Sequence, residues 1–148
     1  MVRVMRLSAL LAIAVLAAVV PAAACASGGK PAPVVVAMAG ETVATTRLVT
    51  IAAGICDSAR QAPADIGAAR QTFFGQSHDG IHLIARGLQD KKDRDASATL
   101  LEAKQKVEAD FLGPAPGPQV AADLRALADV TRSSLARFQV RADACLPT

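Results

Sequence analysis

The sequence predicts an all-α protein, in which a small antiparallel four-helix bundle follows a signal peptide and a flexible tether that contains glycine and proline. Apolar residues recur at three-and-four spacing in four successive segments of the later chain. Short stretches rich in glycine, proline or charged residues separate these segments. Alanine is abundant, and the 148 residues include no tryptophan, no tyrosine and only four phenylalanines. This composition favours helices over strands.

The start of the chain has the layout of a secretory signal peptide. Arg3 and Arg6 give a basic start, an apolar run follows at residues 7–20, and alanines precede Cys25. The apolar run is too short to span a bilayer comfortably, which argues against an uncleaved anchor helix. We therefore expect the mature protein to work outside the cytoplasm. The predicted regions are a signal peptide at residues 1–24, a tether at residues 25–40 and a helical bundle domain at residues 41–148.

The residues Ala22, Ala23, Ala24 and Cys25 end this signal. They resemble the lipobox of bacterial lipoproteins, in which the cysteine is lipidated after cleavage in front of it. The family usually has leucine where this chain has Ala22, and the same residues also satisfy the rules of ordinary signal peptidase. The resemblance implies a lipid on Cys25 and attachment to the bacterial cell membrane, whereas ordinary cleavage implies a secreted protein. The glycines and prolines of residues 27–33 suit a domain that hangs from a membrane.

The mature chain is close to electrically neutral. The whole chain has 16 basic and 13 acidic residues, and removal of Arg3 and Arg6 leaves 14 basic residues. Such a balance gives no general attraction to nucleic acid. Without tryptophan or tyrosine, the chain also lacks the best aromatic platforms for stacking single-stranded bases. We expect no nucleic acid among its partners.

The domain begins with an apolar, β-branched segment at residues 34–40, isolated between Pro33 and the next predicted helix. We interpret this segment as the end of the tether, docked on the bundle, and not as a strand. Four helices follow, of which the second is capped by Asp65 and the third by Asp95. Pro118 opens the fourth helix. The predicted ranges are 41–61, 66–89, 96–112 and 118–142.

The three cysteines leave one pair if the first is lipidated or removed. Cys56 and Cys145 would then share an oxidising compartment, and we predict a disulfide between them. A helix that starts at Glu41 places Cys56 about 20 Å from the end where Cys145 should arrive, whereas a disulfide needs Cα atoms within about 7 Å. Either the first helix starts late, nearer Leu48, or the chain folds back near its end, or the cysteines stay unpaired. A late or broken first helix fits the pair best.

The two histidines, His78 and His82, lie one helical turn apart in the predicted second helix. Both rings then share one flank of the apolar stripe, where water and a neighbouring helix can reach them. Glu102 or Glu108 of the third helix could supply a further ligand if that helix packs on this flank. Two histidines and a carboxylate suit zinc or copper(II), and nickel is also compatible. The sequence therefore predicts a metal site formed by His78, His82, Glu102 and Glu108.

Other interpretations of the histidines stay open. They can be structural side chains that hydrogen-bond a carbonyl or carboxylate, or they can form a pH-sensitive contact. Ser77, His78 and Asp79 do not form a catalytic triad, because neighbouring side chains on a helix point about 100° apart. We therefore expect no enzyme. The two hypotheses are a sensor, buffer or delivery module for a divalent metal, and an interaction module that docks on another envelope protein.

Overall fold

The computed structural model describes residues 34–145 as five α-helices and a β-hairpin. In chain order the elements are β1 (Val35–Met38), β2 (Glu41–Ala44), α1 (Thr45–Gln61), α2 (Ile66–Gln76), α3 (His78–Asp90), α4 (Arg94–Leu112) and α5 (Gly117–Ala136). This part of the chain is mostly helical, as its composition predicts. The predicted signal peptide, most of the predicted tether and the lipidation of Cys25 lie outside the described residues. Within residues 34–145, no helix is long and apolar enough to cross a membrane.

A β-hairpin precedes the helices. Its strands pair in antiparallel register, with Met38 opposite Glu41. The two turn residues, Ala39 and Gly40, have positive φ angles of 51° and 77°, which is the backbone of a tight hairpin turn. Met38 and Val43 are 3% and 2% exposed and anchor one side of the hairpin in the core.

Two predictions for this region were wrong. Residues 34–40 are not an isolated tether end, because the strand they contain pairs with the residues that follow. The first helix begins at Thr45 and not at Glu41, because residues 41–44 form the second strand. The alternative of a late first helix, which the cysteine pair required, is confirmed.

The predicted second helix is broken at Ser77 into α2 and α3. The buried hydroxyl of Ser77 donates a hydrogen bond to the carbonyl oxygen of Ile51 in α1, at 2.8 Å. Gly54 makes room for this contact, since a Cβ atom there would lie 2.5 Å from Ser77 Oγ. The prediction of one continuous helix was wrong because the partner of Ser77 lies 26 residues away in the sequence.

The helix caps agree with the predictions in one case of two. The side chain of Asp65 accepts a hydrogen bond from the backbone N–H of Ala68 at 2.9 Å and caps α2, as predicted. At α4 the cap is Asp93, which accepts from the backbone N–H of Ala96 at 3.4 Å. Asp95 lies in the first turn of α4, where its charge still favours the helix dipole. The charged stretch before α4 contains several aspartates that could cap the helix, and the observed cap lies two residues before the predicted one.

The end of the described chain returns to α1. The last helix stops at Ala136, earlier than predicted, and Gln139 then adopts a φ angle of 60°. The chain continues without regular structure to Cys145. There it forms the predicted disulfide with Cys56 in α1, and the two Cα atoms are 5.1 Å apart. The late start of α1 and the early end of α5 together resolve the distance problem seen in the sequence.

The helices pack around one apolar core. α1 lies against α2 and α5, and α4 lies against α3 and α5. Burial of apolar side chains from every element supplies the main stabilisation, at about 25 cal/mol per Å². The largest fully buried side chains are those of Val43, Leu48, Ile55, Phe73, Ile81, Ile84, Leu88, Leu100, Val107, Leu124, Leu127 and Leu135. This packing sets α3 and α4 side by side and fixes the seam where the histidines lie.

Candidate functional site

The two histidines lie at the seam between α3 and α4. α3 directs Ile81, Ile84 and Leu88 into the core, so positions 78 and 82 fall on its flank, as predicted. α4 packs against α3, and its Glu108 reaches His78. α4 therefore packs on the flank where a glutamate can reach the histidines.

Both ring nitrogens of His78 face carboxylate oxygens. Its Nδ1 atom lies 3.0 Å from Asp79 Oδ1, and its Nε2 atom lies 2.9 Å from Glu108 Oε1. The expectation that Asp79 points away from His78 was wrong, because the side-chain torsions of the two residues bring these atoms together although the residues are neighbours in α3. An ionised carboxylate only accepts hydrogen bonds, so only a doubly protonated ring donates to both partners at once.

Glu108 also holds a lysine. The Nζ atom of Lys104, one turn earlier on α4, lies 2.7 Å from the Oε1 atom that faces His78. The Lys104 side chain is only 6% exposed, so this carboxylate is its main charge partner. Burial alone would raise the pKa of Glu108, but the Lys104 ammonium and His78 outweigh it and hold that pKa below its usual value. Glu108 therefore stays ionised.

His82 stands beside this network on the exposed side of α3. Its ring centroid is 5.1 Å from that of His78, with the two rings nearly perpendicular. Partial burial lowers the pKa of His82, and the Lys104 ammonium and His78 lower it further. His82 therefore favours its neutral form, which is the form that binds metals.

Three of the four phenylalanines adjoin the same seam. The centroid of the buried Phe73 ring is 5.3 Å from that of Phe74 and 5.7 Å from that of Phe111. Phe74 is 40% exposed, and its ring centroid is 5.1 Å from that of His78. The guanidinium carbon of Arg70 lies 5.8 Å from the Phe74 centroid. The site thus combines a charged network with a partly exposed aromatic surface.

Three of the four predicted metal ligands come together. His78, His82 and Glu108 share the seam, whereas Glu102 is exposed and points about 120° away from Glu108 around α4. Within residues 34–145, no group of three or more histidine, cysteine, aspartate or glutamate side chains is arranged to hold a metal ion. A metal bound at the histidine pair would therefore require Glu108 to release Lys104. Binding of zinc or copper(II) at this seam stays a prediction.

A second polar cluster, between α4 and α5, was missed in the sequence. Asp123 is 8% exposed, and its carboxylate lies 2.6 Å from Lys106 Nζ and 2.6 Å from Gln119 Nε2. Burial raises the pKa of the neighbouring Asp110, and the carboxylate of Asp123 raises it further. The buried Oδ2 atom of Asp110 has no hydrogen-bond partner in residues 34–145. The sequence shows this cluster only through two pairs spaced four residues apart, Lys106 with Asp110 on α4 and Gln119 with Asp123 on α5.

Comparisons of the chain with protein families, with curated proteins and with solved structures found no match.

Proposed function

We propose that this domain is a non-catalytic, exported module that docks on another protein of the bacterial cell envelope, with a lipid on Cys25 holding it at the membrane. The observation that carries the proposal is the outer face of α2. There the ring of Phe74 is 40% exposed, and the Arg70 guanidinium lies 5.8 Å from its centroid. Phenylalanine and arginine are enriched in protein interfaces relative to the rest of the surface.

The rest of α2 supports the same use. Only Ala69 and Phe73 of its 11 residues are buried, so most of the helix surface faces outward. Arg70 is its one charged residue, and the helix contains no lysine, aspartate or glutamate. Those three residue types are depleted at the centres of interfaces. The complementary partner surface carries a carboxylate for Arg70 next to an apolar side chain for Phe74.

In this proposal the histidines are structural. Each ring nitrogen of His78 has a carboxylate oxygen within hydrogen-bonding distance, so a metal could bind only after a contact is broken. Lys104 already supplies the positive charge that Glu108 needs. The network joins α3 to α4, and it thereby supports α2, which precedes α3 directly in the chain.

Site-specific photo-crosslinking in the bacterium that makes the protein tests the docking face. A benzoylphenylalanine at exposed Gln71 on α2 should crosslink to one envelope protein, and the same probe at exposed Gln105 on α4 is the control. Arg70→Glu should remove most of the crosslink from position 71. Arg86→Glu, on the exposed side of α3, should leave it unchanged. Equal crosslinking from both probe positions, or no effect of Arg70→Glu, would contradict the proposal.

The lipid anchor has its own test. The intact protein extracted from membranes should have the mass of a chain that starts at Cys25 and carries acyl groups. Cys25→Ser should move the protein from the membrane fraction to the soluble fraction. An unmodified mature chain in the soluble fraction would remove the anchor from the proposal and leave the docking face to be judged by crosslinking.

A second candidate function is the binding of zinc or copper(II), in a sensor, buffer or delivery role. The observation that favours it is the meeting of three predicted ligands, with the rings of His78 and His82 5.1 Å apart and Glu108 2.9 Å from His78. In this alternative, the ammonium group of Lys104 occupies the position of the metal ion in the metal-free protein. Binding of the metal displaces it.

A metal titration followed by the melting temperature separates the two candidates. Lys104→Gln removes the competing ammonium, so a metal-binding domain should bind zinc or copper(II) more tightly in this variant. The double variant His78→Ala, His82→Ala should then lose binding. A tight ligand stabilises a protein by about 2.7 kcal/mol at a hundredfold excess over its Kd. Equal responses of wild type and both variants would leave the histidines with a structural role only.

A further inference from the structure

A cavity of about 350 Å³ lies between the first half of α1 and the junction of α2 with α3. It adjoins the network that His78 forms with Asp79, Glu108 and Lys104. Its volume lies in the range of small-molecule sites. The lining residues that matter for its chemistry are Arg47, Thr50, Phe74, Gly75, Gln76 and Asp79. Three helices contribute to its wall, and their packing fixes its shape.

One positive and one negative side chain line the cavity. Arg47 of α1 is exposed and forms no ion pair with any side chain in residues 34–145. Asp79 of α3 has a side chain that is 96% exposed, and its Oδ1 atom faces His78. Arg47 and Asp79 do not pair with each other, and the Oδ2 atom of Asp79, which does not face His78, is available to a ligand ammonium.

Gly75, in the last turn of α2, has no packing reason to be glycine. A Cβ atom there would meet no other atom within 4 Å, whereas a Cβ atom at Gly80 would lie 2.3 Å from Ile51 Cδ1. A glycine inside a helix costs up to about 1 kcal/mol relative to alanine. Close approach of a ligand to the backbone is a physical reason for a bare backbone at Gly75.

The remaining wall suits a ligand with polar and apolar parts. The hydroxyl of Thr50 donates to the carbonyl oxygen of Thr46 at 3.0 Å and can still accept a hydrogen bond. The amide of Gln76 can both donate and accept. The partly exposed ring of Phe74 offers an apolar surface.

We infer that this cavity binds a small zwitterion, an α-amino acid or a short peptide. The ligand carboxylate pairs with Arg47, and the ligand ammonium pairs with Asp79. The apolar part of the ligand lies on Phe74, and its backbone passes over Gly75. This inference goes beyond the docking function, because it concerns a small molecule bound by the protein without any partner.

NMR titration of the ¹⁵N-labelled mature protein tests the inference. L-leucine should shift the amide signals of residues 47–50 and 74–80. Two matched probes each lack one charge: 4-methylpentanoate has no ammonium, and 3-methylbutylamine has no carboxylate. Each should bind at least about tenfold more weakly than leucine, since each loses one charge-assisted contact. Unchanged signals up to the solubility limit of leucine, or equal binding of all three compounds, would overturn the inference.

Variants locate the ligand in the cavity. Arg47→Gln and Asp79→Asn should each weaken leucine binding by about tenfold. Gly75→Leu should block binding while the protein stays folded, because the added side chain starts in open space. Gln71→Leu, exposed on the same helix and outside the cavity wall, is the control and should bind like wild type. A folded Gly75→Leu variant that binds leucine normally would refute this site. That result would not bear on the docking face, which the crosslinking experiment tests separately.

Discussion

The Nε2 atom of His78, at the start of α3, lies 2.9 Å from the Oε1 atom of Glu108 in α4. The same oxygen faces the ammonium of Lys104 at 2.7 Å. One carboxylate oxygen therefore links two helices and neutralises a nearly buried cation. The stability of the seam should respond both to removal of either charge and to pH.

Glu108→Gln should lower the free energy of unfolding by about 2 kcal/mol, because it leaves the nearly buried ammonium of Lys104 without its carboxylate. Lys104→Met keeps the volume and removes the charge, and it should cost about 1 kcal/mol. The double variant should cost less than the sum of the single variants, since neither charge is left alone. Urea unfolding gives all four free energies. Strictly additive losses would show that the two residues are not coupled.

The free energy of unfolding should fall as the pH is lowered through the histidine range. Partial burial, the Lys104 ammonium and His78 lower the pKa of His82, and Glu108 and Asp79 oppose this more weakly. The unfolded chain takes up a proton at His82 near pH 6.5, whereas the folded protein does so only at lower pH, so acid favours unfolding. His82→Gln should reduce the loss of stability between about pH 7 and pH 5. Urea unfolding across this range measures it, and parallel curves for variant and wild type would speak against the effect.

Asp110→Asn should stabilise the protein at neutral pH. Burial and Asp123 raise the pKa of Asp110 above 3.8, so ionisation favours the unfolded chain as the pH rises from that value. The asparagine amide can still donate to Asp123 and does not ionise. The gain should therefore be present at neutral pH and absent in acid below about pH 3.

Asp123→Asn should have the opposite effect on stability to Asp110→Asn. Burial would raise the pKa of Asp123, but Lys106, Asp110 and Gln119 outweigh it and lower that pKa. Asp123 therefore contributes stability above pH 3.8 that is lost as the pH falls, and its replacement should destabilise the protein at neutral pH. Thermal unfolding at neutral and acidic pH compares both variants. Equal effects of the two replacements would contradict the opposite directions of the two pKa shifts.

Replacement of both cysteines of the disulfide by alanine should cost about 4 to 5 kcal/mol, because the bond closes a long loop. Cys56 and Cys145 are 89 residues apart, and the reduced unfolded chain regains the entropy of that loop. Urea unfolding of wild type with a reductant should show the same loss. The alanine double variant should not respond to the reductant, and a response there would mean that the reductant acts elsewhere.

The sequence was most informative where neighbouring residues decide the structure. α4 lies within two residues of its predicted start, and its predicted end at Leu112 is correct. The flank position of His78 followed from helical periodicity, whereas the choice of Glu108 over Glu102 as its neighbour did not. The pairing of Cys56 with Cys145 followed from the number of cysteines and the expected compartment.

The errors arose where distant residues or unusual backbone angles decide the structure. The break at Ser77 depends on a hydrogen bond to Ile51, and the hairpin depends on a positive φ angle at Ala39, a residue that rarely adopts one. The raised pKa of Asp110 depends on burial and on Asp123 in the next helix. None of these contacts leaves a periodic signal along the chain.

The β-hairpin lies outside the loop that the disulfide closes, since residues 35–44 precede Cys56. If Cys25 carries the proposed lipid and the domain docks on a partner as proposed, tension between the membrane and that partner would enter the described residues at Val34. If this tension separates β1 from β2, the disulfide still closes the loop of residues 56–145, which contains α2 to α5. We therefore expect the hairpin to open before the proposed docking face on α2 is disturbed.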